Sequence, residues 1–123
     1  MIRCLFILAL MACGPNLGHA ETVQDGRAAC RGFMDGGGSM TTNVELISAG
    51  RCTGMVDGIT RLMVINCAFA QAHPAIPRAE APYTTGAAIQ VFLNWADDHP
   101  ERWGDDFADG VMKAIQETFP CQR

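Results

Sequence analysis

Apolar positions recur along the chain at helical spacing, in four blocks. In the first, Val23, Ala29, Cys30, Phe33 and Met34 predict a short helix over 23–34. In the second, Val44, Ile47, Arg51/Cys52, Met55, Ile59, Leu62 and Met63 fall three and four apart, the stripe of a long helix capped by Thr42 or Asn43 and ending near Ile65. Ala88, Val91, Phe92 and Trp95 form the stripe of a third, capped by Thr84 or Thr85. His99-Pro100 stops it, because the residue before proline avoids the helical region. The fourth starts at Asp105-Asp106, where carboxylates suit the positive end of the helix dipole. It carries Phe107, Val111, Met112, Ala114, Ile115 and Phe119, and Pro120 ends it. No alternating β-branched run reaches strand length. The fold class expected is all-α, a small bundle of about four helices.

Between the blocks lie Gly36-Gly37-Gly38 and a segment with Pro74, Pro77 and Pro82, which is loop and connection chemistry. On a face beside the second stripe stand Gly50, Gly54 and Gly58. Each glycine costs a helix about 1 kcal/mol relative to alanine. Three of them spaced by four predict the close approach of another helix backbone.

The first twenty residues read differently. Arg3 precedes a nine-residue apolar run, Cys4–Ala12, which is too short to cross a bilayer. Gly18-His19-Ala20 then supplies the small residues of a signal-peptidase site. The domains expected are a secretory signal over 1–20 and a helical domain over 21–123, in the periplasm. A competing reading takes Leu10-Met11-Ala12-Cys13 as a lipobox, with membrane attachment through a lipid on Cys13.

The chain has 123 residues, 49% of them apolar and 18% charged, which is one globular domain. Its formal charge of −4 becomes −5 when Arg3 leaves with the signal. Such a chain repels phosphates, so nucleic acid is excluded as a partner.

Four cysteines remain after export, Cys30, Cys52, Cys67 and Cys121, and an oxidising compartment favours two disulfides. Three pairings exist. An up-down hairpin of helices three and four brings Cys67 and Cys121 to one end of the bundle, which favours Cys67–Cys121 and Cys30–Cys52.

Catalytic signals are weak. Asp97, Asp98 and His99 could be read as an acid–base or ligand cluster, but a histidine in the last turn of a helix suits the dipole without chemistry. No nucleophile elbow, zinc motif or phosphate loop is present, so neither an enzyme nor a cofactor or metal is expected. Contact anchors are sought instead in Arg78 and Tyr83, around the proline segment, and in Arg102 and Trp103, with packing over the turn between helices three and four as the alternative for Trp103.

Cys52-Thr53-Gly54-Met55-Val56-Asp57-Gly58 resembles a C-x-G-aromatic-x-x-G helix motif. Cys67, Trp95-Ala96-Asp97-Asp98-His99-Pro100-Glu101 and Phe119-Pro120-Cys121 follow in order. Over Ala49–Cys121 the chain resembles the Rap/Tai-type immunity family of type VI secretion systems. It departs from the family pattern at Met55, which replaces the aromatic, at Ala68-Phe69-Ala70, where a proline is usual, and at Ala87, where glutamine is common. The resemblance implies a periplasmic, disulfide-bonded helical protein that binds and sterically blocks a toxic enzyme, a peptidoglycan amidase in the best-known cases, and that forms homodimers in some members. The alternative is a small periplasmic chaperone or envelope interaction protein, suggested by seven methionines in a stapled frame.

Overall fold

The computed structural model describes residues 20–36, 39–69 and 84–120, with backbone alone over 66–69. Among them lie four α-helices: α1 (Val23–Gly36), α2 (Asn43–Phe69), α3 (Thr85–Asp98) and α4 (Phe107–Thr118). A single 3-10 turn, Pro100–Arg102, links α3 to α4. The described residues form no strand, only one antiparallel bridge between Thr22 and Asp106. The all-α expectation holds.

The helix starts follow local chemistry. Thr22 and Asp25 satisfy each other reciprocally: Thr22 N–H donates to Asp25 Oδ2 at 3.0 Å, and Asp25 N–H donates to Thr22 Oγ1 at 3.2 Å. Thr42 and Glu45 repeat this capping box at α2, with distances of 2.9 and 3.2 Å. Thr84 caps α3 through its hydroxyl, which accepts from Ala87 N–H, and the Asp106 carboxylate caps α4, accepting from Ala108 and Asp109 N–H. The ends follow the prolines: α3 stops at Asp98 before His99-Pro100, and α4 stops at Thr118 before Pro120.

The core joins all four helices. Val23 and Cys30 of α1, Cys52 and Val56 of α2, Ile89 and Phe92 of α3, and Phe107, Val111 and Ile115 of α4 are fully buried. Phe92 and Phe107 meet at 5.1 Å between ring centroids. Burial of each such ring contributes up to about 3 kcal/mol. The Cys30–Cys52 disulfide ties α1 to α2. The second expected disulfide, Cys67–Cys121, and the expected signal segment with Cys13 lie outside the described residues or their side chains.

The segment leading into α1 runs antiparallel to the one leading into α4. Phe107 N–H donates to the Glu21 carbonyl at 2.8 Å, Val23 N–H to the Asp105 carbonyl at 2.8 Å, and Gln24 N–H to the Trp103 carbonyl at 3.1 Å. Val23 is thereby delivered into the core.

The buried face of α2 differs from the expected stripe. Ala49, Cys52, Val56, Thr60 and Met63 face inward, whereas Val44, Ile47 and Leu62 are exposed. The helix carries apolar residues on every side, so periodicity alone does not choose a face. The disulfide at Cys52 and the packing of α1, α3 and α4 choose it. The helix also runs four residues beyond Ile65, to Phe69.

The expected close approach at Gly50, Gly54 and Gly58 is not met among the described residues: all three are exposed, and a Cβ at any of them would have nothing within 4 Å. The glycines that do admit close packing are Gly26 and Gly110. A Cβ at Gly110 would fall 2.5 Å from Val23 Cγ2.

Candidate partner-docking surface

Seven large apolar side chains are exposed among the described residues, and five of them, Val44, Leu46, Ile47, Leu62 and Ile65, belong to α2. Val44 is 74% exposed and Ile47 62%. They occupy the two ends of α2's outer side, with Gly50, Gly54 and Gly58 between them. Such exposed apolar side chains, gathered at each end of one helix, are candidate contact points.

Beside this face, α1 and the first half of α2 enclose an open groove of about 430 Å³. Ala29, Phe33, Met40 and Val44 supply apolar wall, and Gly32 leaves space where a side chain would stand. Asp25, Glu45 and Arg51 are its charged lining residues.

Both groove carboxylates are held in the ionised form. The hydroxyl and backbone N–H of Thr22 lower the pKa of Asp25 below the usual carboxylate range. The backbone N–H and hydroxyl of Thr42, with the N–H of Thr41, do the same for Glu45. Arg51 is occupied by an ion pair with Glu21. The groove therefore offers an apolar slot with a fixed negative rim, suited to an apolar side chain accompanied by a cation.

Arg102 and Trp103, expected as contact anchors, are engaged within the fold. Trp103 Nε1–H donates to the Ala96 carbonyl at 2.7 Å, and the Arg27 guanidinium lies over the ring, 4.8 Å from its centroid. Trp103 thus seals the turn between α3 and α4. Arg102 Nε lies 2.7 Å from Asp105 Oδ2 without an aligned hydrogen bond. Arg78 and Tyr83 lie outside the described residues.

Nor do the residues of the Asp97–Asp98–His99 cluster converge. Asp97 Oδ1 receives Arg27 Nε at 2.6 Å and Oδ2 receives Arg31 Nη2 at 2.5 Å, pinning α1 to α3. Those hydrogen bonds, Arg27's above all, lower the Asp97 pKa. His99 stacks on Trp95 with ring centroids 4.8 Å apart, and its Nδ1 donates to the Trp95 carbonyl at 2.8 Å. The Trp95 indole N–H in turn reaches Glu117 Oε2 at 3.0 Å. A second, polar cleft of about 610 Å³ opens here, lined among others by His99, Glu101, Lys113 and Glu117. No cluster of metal-ligating side chains is present among the described residues, and none of their helices is long and apolar enough to cross a membrane.

The sequence pattern places Val44, Ile47 and Leu62 in the core and does not mark Met40 or Phe33 as groove walls. The signal that could flag α2 is that its apolar residues fall on every side of the helix, more than one buried face takes up.

Searches among curated proteins and among solved structures each returned no match. The family profile of the Rap1a immunity proteins matches residues 8–121, nearly the whole chain. That extent, on an all-α frame with an exposed apolar helix face, settles the kinship: the chain belongs to the Rap1a immunity protein family.

Proposed function

We propose that this protein is exported to the periplasm by its N-terminal segment and there binds a type VI secretion effector, a peptidoglycan amidase, whose active-site cleft it obstructs. Membership in an immunity family carries the reading. Inhibition is steric: the protein makes and breaks no bonds, and a projecting loop of the effector seats an apolar side chain between Phe33, Met40 and Val44, with a neighbouring cation against Asp25 and Glu45. Local hydrogen bonds keep both carboxylates charged. A tight complex of this kind buries about 1,600 Å² in total, with a few anchors dominating.

The test is co-expression in the periplasm with the enzyme encoded beside it. Cells are expected to survive the enzyme, and the two proteins to co-elute from a sizing column. Undiminished lysis with separate elution overturns the proposal. Survival and co-elution with an effector that is not an amidase would keep the inhibitory role and replace the target.

A further inference from the structure

Lys113 and Glu117 stand one turn apart on α4, a spacing at which opposite charges ordinarily pair. Among the described residues no ion pair joins them. Lys113 Nζ goes instead to Asp105 Oδ2, at 3.5 Å, and Glu117 Oε2 accepts the Trp95 indole N–H at 3.0 Å. Both side chains line the polar cleft of about 610 Å³ between α3, the 3-10 turn and α4.

Each end of the cleft is left with charge to spare. Asp105 Oδ2 also faces Arg102 Nε at 2.7 Å, so one carboxylate serves two cations and a positive charge remains over. At the other end Glu117 is held by a neutral N–H, and Glu101 has no partner among the described residues, so negative charge remains over. The His99 imidazole, stacked on Trp95, is a flat wall of the same cleft. Its Nδ1–H is spent on the Trp95 carbonyl, and a neutral ring then keeps Nε2 as an acceptor.

We propose that this cleft binds a short zwitterionic peptide, whose carboxylate is taken by Lys113 and Arg102 and whose ammonium is taken by Glu117 and Glu101. The two charged ends of the cleft call for both charges in one small ligand. Residues four apart on a helix hold their Cβ atoms about 5–6 Å apart, and two extended residues span up to about 7 Å, so a dipeptide reaches from one end to the other. The terminus of a long protein chain offers only one of the two charges. The cleft shares no lining residue with the α1–α2 groove, so it stands whether or not an effector docks there.

The test is a heteronuclear NMR titration of the purified chain with alanyl-alanine, read at the Trp95 indole N–H, which lies against Glu117 in the cleft. A saturable shift is expected, with a Kd of about 1 mM, the scale of a few partly exposed ion pairs. N-acetyl-alanyl-alanine lacks the ammonium and alanyl-alaninamide lacks the carboxylate; each is expected to bind at least about threefold more weakly. Lys113→Gln is expected to weaken the free dipeptide by the same factor and to leave alanyl-alaninamide unchanged. Glu117→Gln, which keeps an acceptor for the indole, is expected to weaken the free dipeptide and to leave N-acetyl-alanyl-alanine unchanged. A thermal melt of each variant reports its fold. Absence of a saturable shift at Trp95 overturns the proposal. So do capped peptides that bind as tightly as the free one, which would assign the cleft to the end of a longer chain, and so does a free dipeptide indifferent to both variants.

Discussion

Gly26 lies flat against the ring of Phe107: a Cβ at Gly26 would fall 2.3 Å from two of its carbons. Helices α1 and α4 meet through that missing side chain. Gly26→Ala must push the ring off Phe92 or displace α1, and is expected to cost about 1–3 kcal/mol, as overpacking does. Gly110→Ala, which drives a methyl into Val23, is expected to cost as much. Chemical denaturation measures both. An alanine at Gly26 that leaves the midpoint unmoved would contradict the packing described.

The Cys30–Cys52 disulfide closes a loop between cysteines 22 apart in sequence. In the chain-entropy account such a loop is worth about 3 kcal/mol. Replacing both cysteines by alanine is expected to lower stability by at least that much, since both are buried and their removal also leaves space. Denaturation of the double variant against the oxidised chain tests this, with free-thiol titration confirming that the natural bond is closed.

Asp97 holds Arg27 and Arg31 and has a lowered pKa in the fold, with Arg27's hydrogen bond the main cause. A carboxylate of lowered pKa stabilises the fold above its unfolded pKa, and that contribution disappears as pH falls through the folded value. Asp97 is 40% exposed, so the whole pair network is worth up to about 1 kcal/mol. Asp97→Asn is therefore expected to be less stable than the natural chain at neutral pH, with the difference closing below the ordinary carboxylate range. Urea titrations across that acid window read it directly; a gap that widens on acidification would refute the sign.

Val44→Asp changes a side chain that is 74% exposed in the α1–α2 groove. It is expected to leave stability within about 0.5 kcal/mol. If the groove seats the effector as proposed, affinity for it drops by at least tenfold, the scale of a contact worth over 1 kcal/mol. Calorimetry with the cognate enzyme, beside a thermal melt of the variant alone, separates the two effects.

The helix ends were legible because their causes are local. Thr84 and Asp106 cap as their types predict, and Pro100 and Pro120 stop what precedes them. For Trp103 the sequence allows both a contact anchor and packing over the α3–α4 turn; only the structure decides for the second, because the Ala96 carbonyl and the Arg27 guanidinium are brought to the ring by the packing of three helices. Glycines show the same division. Even spacing drew the eye to Gly50, Gly54 and Gly58, yet inside the monomer the indispensable ones are Gly26 and Gly110, solitary residues whose neighbours come from distant helices. The buried face of α2 is not legible, because apolar residues on every side of a helix carry no record of which side its own chain will cover.

The antiparallel contact of residues 21–24 with 103–107 also governs the order in which the molecule can be finished. Synthesis from the amino end delivers Glu21, Thr22 and Val23 first and their hydrogen-bonding partners almost last. Until Phe107 and Asp105 arrive, α1 can hold α2 through the disulfide and α3 through Arg27, Arg31 and Asp97, but its leading residues have no hydrogen-bonding partners. The docking of residues 21–24 is therefore a late event. A nonsense codon just before α4 would remove the back of the protein and leave its first residues unmoored as well.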